Sequence, residues 1–190
     1  MSHRIEVGFK EGIIDASGLT LKRRIKDDLQ LRQIEEVRII EVYTINEPLR
    51  GSTLLTLAEN LFSDQITQVF SIDSPLADKF SWLIEVGFKP GVTDNVGKSS
   101  KEGIEDILKR QLTGQVFTSR QYLLTGRLSR EEVERITRDL LANELIERWE
   151  IWDQQSWRRG RGVVMSLPIV QGQHSPRVRE IALDVSDEEL

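Results

Sequence analysis

The feature that most constrains the fold of this chain of 190 residues is an internal repeat. The sequence of residues 5–18 (IEVGFKEGIIDASG) recurs with few changes at residues 84–97 (IEVGFKPGVTDNVG). When the sequence is aligned with itself, residues 5–73 match residues 84–152 without a gap. Chance similarity does not keep register over so long a span, so the repeat indicates an internal duplication. We therefore expect two copies of one structural unit.

Alternation of apolar and polar residues predicts three strands in each unit. Such alternation is typical of a strand with one buried face, because successive side chains point to opposite sides. In the first unit the strands are marked by Ile5, Val7 and Phe9, by residues 37–45, and by Ile66, Phe70 and Ile72. The matching positions of the second unit are Ile84, Val86 and Phe88, residues 116–124, and Leu145, Trp149 and Ile151. One face of each strand is expected to be core and the other polar.

Two helices separate the strands of each unit. Apolar residues spaced three or four apart share one helical face. They are Leu21, Ile25, Leu29, Leu54, Leu57 and Leu61 in the first unit, and Ile104, Leu108, Val133, Ile136 and Leu140 in the second. Asp15 and Asp94 precede the first helix of each unit, and we expect them to cap its free amides. Ser129 and Glu132 form a capping-box pattern. Each unit is therefore predicted to be β-α-β-α-β.

Changes in composition mark the limits of the units. We predict a first unit at residues 1–73, a connection at 74–81, a second unit at 82–152 and an irregular linker at 153–190, which is rich in glycine and proline. Residues 185–190 resemble the start of a helix without its body, so we expect the natural polypeptide to continue. A unit this small buries too little surface alone, and the two units are expected to pack together.

Charge and composition exclude several classes of protein. The formal net charge of -5 disfavours a nucleic-acid-binding domain, because such domains are usually basic. The absence of cysteine excludes a disulfide framework and thiolate chemistry. No apolar run is long enough to span a bilayer. We expect a soluble cytoplasmic protein with neither a membrane nor a nucleic acid as its partner.

The loop between the first strand and the first helix resembles that of a known family. Lys10, Asp15 and Gly18, with Val37 and Arg38 on the next strand, are similar to positions of PurS, the small component of phosphoribosylformylglycinamidine synthase. The second unit repeats the pattern in part, at Lys89, Asp94, Gly97 and Val116. The resemblance implies an α+β fold of two tandem PurS-like β-α-β-α-β repeats packed as a pseudo-dimer, followed by the irregular linker.

The resemblance also implies a function. It is that of a non-catalytic N-terminal scaffold of the synthase (PurL), an ATP- and glutamine-dependent ligase of purine biosynthesis. The scaffold is expected to bring the glutaminase and synthetase domains or subunits together and to aid ammonia transfer between them. ATP and Mg²⁺ are expected in the downstream synthetase region. No catalytic residue, cofactor site or metal site is expected in this chain itself.

The sequence departs from the family pattern at two places. Helix starts in the family often read Asp-Pro-x-Gly, whereas residues 15–18 read DASG and residues 94–97 read DNVG. Arg38 is replaced by Phe117 in the second unit. These changes are compatible with the expected fold, but they make the two units unequal.

Other polar residues carry weaker signals. A loop before a helix can bind phosphate, but Asp15 and Asp94 place a negative charge there, so we interpret both as structural caps. His3 and His174 lack a second imidazole nearby and are expected to be solvated. Two pairs of neighbouring carboxylates are interpreted as solvated groups rather than acid–base pairs: Asp27 with Asp28, and Glu35 with Glu36.

Aromatic and basic residues follow the second unit. Trp149 holds a core position, whereas Trp152 and Trp157 lie at the edge of the repeat. Three arginines are nearby: Arg158, Arg159 and Arg161. Two interpretations stay open: the tryptophans pin the chain onto the domain, or Trp and Arg together form a docking surface. A short basic run can also contact RNA, but it is a weak signal in an acidic chain.

Two alternatives to the scaffold remain. Tandem βα repeats also build small-molecule-binding regulatory domains, and saturable ligand binding would reveal one. A nucleic-acid module would show binding that falls steeply with salt. We rank the scaffold first and the regulatory domain second.

Overall fold

The computed structural model of this α+β protein describes residues 2–160, 162 and 166–169. In the first unit the elements are, in chain order, β1 (His3–Phe9), α1 (Ala16–Asp27), β2 (Ile34–Ile45), α2 (Gly51–Leu57) and β3 (Gln68–Ile72). In the second unit they are β4 (Trp82–Phe88), α3 (Asn95–Leu108), β5 (Val116–Gly126), α4 (Arg130–Ile136) and β6 (Glu147–Asp153). The element order β-α-β-α-β is present in both units.

All six strands form one antiparallel sheet with the order β3-β1-β2-β5-β4-β6. The units meet through their second strands, because β2 and β5 lie side by side at the centre. Their pairing runs from Ile34 opposite Gly126 to Ile45 opposite Val116. The two units therefore share a continuous sheet rather than standing as separate sheets.

Helices α1 to α4 pack on one face of this sheet, and each apolar cluster mixes the two units. Ile25 of α1 lies in a cluster with Ile84 and Ile136 of the second unit. Ile104 of α3 lies in a second cluster, mainly with side chains of the first unit: Ile5, Val7, Ile45, Leu54, Leu57, Ala58 and Phe62. The first helix of each unit thus helps to form a core with the other unit.

The second helix of each unit ends in a π-helical turn. These turns span Ala58–Phe62 after α2 and Thr137–Leu141 after α4. In both, an amide bonds to the carbonyl five residues earlier, which closes the helix before the chain turns back towards the sheet. Within the described residues, no helix combines the length and the apolar character needed to cross a bilayer.

The predicted starts of the third strands are wrong. Ile66 and Leu145 were expected on these strands, but β3 and β6 begin only after them. Their side chains are 83% and 84% exposed. The physical reason is turn chemistry: Asp64 Oδ1 accepts the Ile66 amide at 2.7 Å, and Asn143 Oδ1 accepts the Leu145 amide at 3.0 Å.

The chain also stays regular where the sequence predicts an irregular linker from residue 153. Asp153 ends β6, and its carboxylate accepts the Ser156 amide at 2.7 Å, capping a short helix, α5 (Gln154–Arg159). Trp157 of α5 is buried against the sheet. Residues 161, 163–165 and 170–190, with the predicted helix start at 185–190, lie outside the described residues.

The mixed core predicts that one helix of the second unit stabilises the whole chain. Ile104→Ala removes a fully buried side chain from among first-unit residues, and we expect it to lower the free energy of unfolding by about 2–5 kcal/mol. Ile107→Ala, on the same helix but 37% exposed, should cost less than about 1 kcal/mol. Urea unfolding followed by circular dichroism gives both values. A wild-type curve with two separate transitions would contradict the shared core.

Candidate interaction surface

The acidic residue of the first repeated loop joins a helix to a strand. One oxygen of Asp15 accepts the Gly18 amide at 2.7 Å in the first turn of α1. Its other oxygen accepts the Ile39 amide of β2 at 2.8 Å. The carboxylate therefore occupies the place where a bound anion would have to sit. The predicted role of Asp15 as a cap is confirmed, and its link to β2 is an additional finding.

Asp94 makes the matching bonds in the second unit. It accepts the Gly97 amide at 2.7 Å and the Thr118 amide of β5 at 2.6 Å. The Thr118 hydroxyl adds bonds to both carboxylate oxygens, at 3.0 and 2.9 Å. Asp94 is thus also confirmed as a cap. It accepts three hydrogen bonds from its strand, whereas Asp15 accepts one.

The glycine three residues after each cap allows the helix to touch the strand. A Cβ atom on Gly18 would lie under 3.0 Å from the carbonyl oxygen of Val37, and one on Gly97 would lie equally close to that of Val116. Real Cβ atoms essentially never come so close to backbone. Only glycine therefore allows the first turn of α1 and α3 to lie directly on β2 and β5.

The lysine of each loop holds the turn that precedes the third strand. Lys10 Nζ donates to the carbonyls of Gln65 and Ile66. Lys89 Nζ donates to the carbonyl of Glu144, which is the position matching Gln65. Both lysines therefore stabilise a turn within their own unit.

Arginine anchors the end of the first strand in both units, but from different positions. Arg38 Nη2 donates to the Phe9 carbonyl at 2.9 Å. In the second unit Phe117 stands in place of Arg38, and Arg148 of β6 takes over, with Nε donating to the Phe88 carbonyl at 3.2 Å. The departure at Phe117 of β5 is thus compensated from β6, the strand on the other side of β4.

A cluster of charged residues lies at the centre of the sheet face that α1 to α4 leave uncovered. Arg4 of β1 donates through Nε to Glu6 at 2.7 Å, and through both terminal nitrogens to Glu85 of β4 at 3.0 and 2.8 Å. Gln121 Nε2 and the Ser119 hydroxyl also donate to Glu85, at 3.0 and 2.6 Å. One guanidinium therefore links the two units through two carboxylates.

This cluster corrects the expectation that the second face of the strands is simply polar. Glu6 and Glu85 are only 2% and 1% exposed. The backbone amide of Leu76, in the connection between the units, donates to Glu6 at 2.7 Å. Burial lowers the pKa of Arg4, but the charges and hydrogen bonds of Glu85 and Glu6 outweigh it and raise the pKa, so the guanidinium stays charged.

The connection and α5 cover this second face with apolar side chains. Ala77 and Phe80 of the connection pack with Trp152 and Trp157, over Leu83 of β4. The rings of Phe80 and Trp157 meet edge to face with centroids 6.1 Å apart. The burial of both tryptophans favours the interpretation in which they pin the chain onto the domain. Trp149 instead packs beside the core cluster of α1 and α4.

An open groove of about 750 Å³ lies on the same side of the first unit. We call it the first groove; it includes Phe9, Arg38, Ile40, Val69 and Leu123 in its lining. Loop residues 10–15 form part of one wall, and the connection at 76–81 contributes to the other. Apolar side chains are accessible at it, with Val69 39% and Ile14 72% exposed. Sequence reasoning missed the groove, because its parts come from distant segments.

The remaining residues singled out from the sequence do not assemble into a site. Asp27, Asp28, Glu35, Glu36, Arg158 and Arg159 are exposed. The prediction of a solvated His3 is wrong: the side chain is largely buried, with Nδ1 2.7 Å from Asp73 Oδ2. His174 and Arg161 lie outside the described residues. Among the residues that the structure describes, no three His, Asp or Glu side chains are grouped to hold a metal ion.

Sequence comparison supplies no family for this arrangement. No protein-family model matches the chain, and no curated protein matches it significantly. A function for the chain is therefore inferred from its geometry and from the resemblance of the repeated loops.

The buried charge cluster predicts a large effect from a single substitution. Arg4→Met leaves Glu6 and Glu85 buried without a cation, and we expect a loss of about 3–5 kcal/mol in the free energy of unfolding at pH 7. Urea unfolding is the measurement. Adding Glu85→Gln to Arg4→Met should recover part of the loss, because one uncompensated charge is then removed.

The control for that prediction is an ion pair near the surface. Arg120→Met breaks the pair with Glu41, whose side chains are 50% and 41% exposed, and should cost less than about 1 kcal/mol. Equal losses for Arg4→Met and Arg120→Met would show that the buried cluster does not carry the stability assigned to it.

The loop glycines give a further prediction. Gly97→Ala forces a methyl group against the Val116 carbonyl, and we expect a loss of about 1–3 kcal/mol. Gly51→Ala is the matched control, because a Cβ atom there meets nothing within 4 Å; it should change stability by less than about 0.5 kcal/mol. Differential scanning calorimetry compares the two. An unchanged Tm for Gly97→Ala would refute the close approach of α3 to β5.

Proposed function

We propose that this chain is the non-catalytic N-terminal scaffold of phosphoribosylformylglycinamidine synthase, with its two PurS-like units packed as a pseudo-dimer. In this role it brings the glutaminase and the ATP-dependent synthetase together and helps ammonia to pass between them. The synthetase region, not this chain, would bind ATP and Mg²⁺.

The observation that carries the proposal is the register between β2 and β5. Glu41 lies opposite Arg120, and these two residues hold the same position when counted from Ile5 and from Ile84. In a symmetric dimer, the residue nearest the twofold axis faces its own copy. The register is therefore the one that a dimer of a single ancestral unit would have.

The charges at this central pair support two units that were joined on one chain and then diverged, rather than a dimer of identical subunits. Two identical glutamates or arginines facing each other would repel. Here Arg120 Nε donates to Glu41 at 2.8 Å. Fusion of two units onto one chain permits such complementary substitutions, because the two positions can then change independently.

The use of the motif residues also supports a scaffold. The carboxylates of Asp15 and Asp94 are engaged with backbone amides, and Gly18 and Gly97 are needed for packing. These residues build the units instead of presenting reactive groups to a substrate. Contact with large partners is further supported by the exposed apolar side chains of Ile13, Ile14 and Leu19 along the first groove.

The test is reconstitution of the reaction. Glutamine-dependent amidine formation by the remaining synthase and glutaminase parts is measured with and without this chain, and ammonia serves as the control substrate. The proposal expects the chain to restore glutamine use while ammonia-driven activity hardly changes.

The opposite result is equally informative. If neither activity responds and sedimentation detects no complex with either part, the scaffold proposal is wrong. A saturable thermal shift with an amino acid or a nucleotide would then favour the regulatory alternative.

A further inference from the structure

Two grooves occupy matching places on the two units. The first groove is open, and the positions of its lining have counterparts across the repeat. Phe9, Arg38, Ile40 and Val69 match Phe88, Phe117, Ser119 and Arg148, while Leu123 matches Thr44. The matching residues all line a second, much smaller pocket, which we call the second groove.

Strand pairing shows that these positions correspond in space as well as in sequence. Gly8 of β1 lies opposite Ile40 of β2 and Val69 of β3. On the other unit, Gly87 of β4 lies opposite Ser119 of β5 and Arg148 of β6. Both grooves are therefore built over the same three strands of their units, on the same face of the sheet.

The second groove is filled by this chain itself. Ser166, Leu167 and Pro168 line it from above, and only about 20 Å³ of space is left. Arg148 holds this segment, since Nη1 donates to the Ser166 hydroxyl at 2.8 Å and Nη2 donates to the Ser166 carbonyl. The segment adopts neither helix nor strand. An irregular stretch with a small polar residue, leucine and proline thus fits this type of groove.

The first groove offers the same kind of anchor without an occupant among the described residues. Arg38 is fixed by one bond to the Phe9 carbonyl, just as Arg148 is fixed to the Phe88 carbonyl. Its Nε and Nη1 make no hydrogen bond to any residue that the structure describes, and so they can donate to a ligand. Arg148 likewise uses the two nitrogens that do not bond to Phe88, Nη1 and Nη2, to hold Ser166.

The character of the lining identifies the class of ligand. Basic and acidic side chains line the first groove in equal number, which does not favour a highly charged ligand. Its floor is more apolar than that of the second groove, because Ile40, Val69 and Leu123 stand where Ser119, Arg148 and Thr44 stand in the other unit. A neutral, apolar peptide segment suits these surroundings.

We propose that the first groove binds an extended segment of a partner protein in which an aliphatic residue is followed by proline. A backbone carbonyl of the segment accepts from Arg38, and the aliphatic side chain packs on Val69, which is 39% exposed. Proline favours the extended backbone and has no amide that would need a partner. The inference rests on the comparison of the two grooves and is independent of the proposed enzyme.

The probe for the test is a fluorescein-labelled peptide with the sequence of residues 162–171 (GVVMSLPIVQ), titrated with the whole chain by fluorescence anisotropy. We expect saturable binding with a Kd below about 1 mM. The same peptide carrying Leu167→Asp should not bind, because its carboxylate would have to be buried on an apolar floor. Absence of saturation for the parent peptide would overturn the proposal.

Substitutions in the chain locate the binding site. Val69→Glu should weaken peptide binding by about tenfold or more, because it places a charge on the floor of the groove. Ile66→Glu is the matched control, since Ile66 is 83% exposed and does not line the groove; it should leave the Kd unchanged.

Two further outcomes would overturn the proposal, because they would identify another binding site or another occupant. Loss of binding with Arg148→Ala, but not with Val69→Glu, would mean that the peptide displaces residues 166–168 from the second groove. Self-association that rises with concentration and disappears with Val69→Glu, followed by sedimentation, would identify a second copy of this chain as the occupant.

Discussion

The antiparallel pairing of β2 with β5 is the interaction on which the rest of the structure depends. Without it, both strands would be exposed edges with unpaired amides and carbonyls. The pairing brings α1 over strands of the second unit and α3 over strands of the first, so both helical clusters are shared. It also brings Glu85 within reach of Arg4. The core and the buried charges are therefore consequences of one strand pair.

Much of each unit could be predicted from the sequence because the deciding interactions are local. Alternation marks β1 and β4, since one face of each strand is buried within its own unit and is read directly as a period of two. The caps Asp15 and Asp94 bond to amides in the next helical turn, so a short stretch of sequence contains both partners. The α+β class and the order of elements follow from such signals.

The rest depends on contacts between distant segments, and no local pattern reports them. Glu6 and Glu85 have the alternation of solvent-facing residues, yet both are buried. The connection bonds to Glu6 through the Leu76 amide, and Glu85 is bound by Arg4 and by two side chains of β5. The helix α5 is too short for a periodic signal, and Trp157 is buried by contacts with residues far away in the sequence. The first groove combines a loop, residues of four strands and the connection. The repeat itself held one usable clue: at two matched positions an arginine in one unit stands against an apolar residue in the other, Arg38 against Phe117 and Arg148 against Val69.

The single guanidinium of the buried cluster makes the two units non-interchangeable. Glu6 and Glu85 occupy matching positions, but the counterpart of Arg4 is Leu83, which is buried among apolar side chains. Two copies of the second unit, paired in the same way, would bury two carboxylates with no cation. The second unit therefore cannot stand in for the first, because the burial of Glu85 depends on a guanidinium that only the first unit supplies.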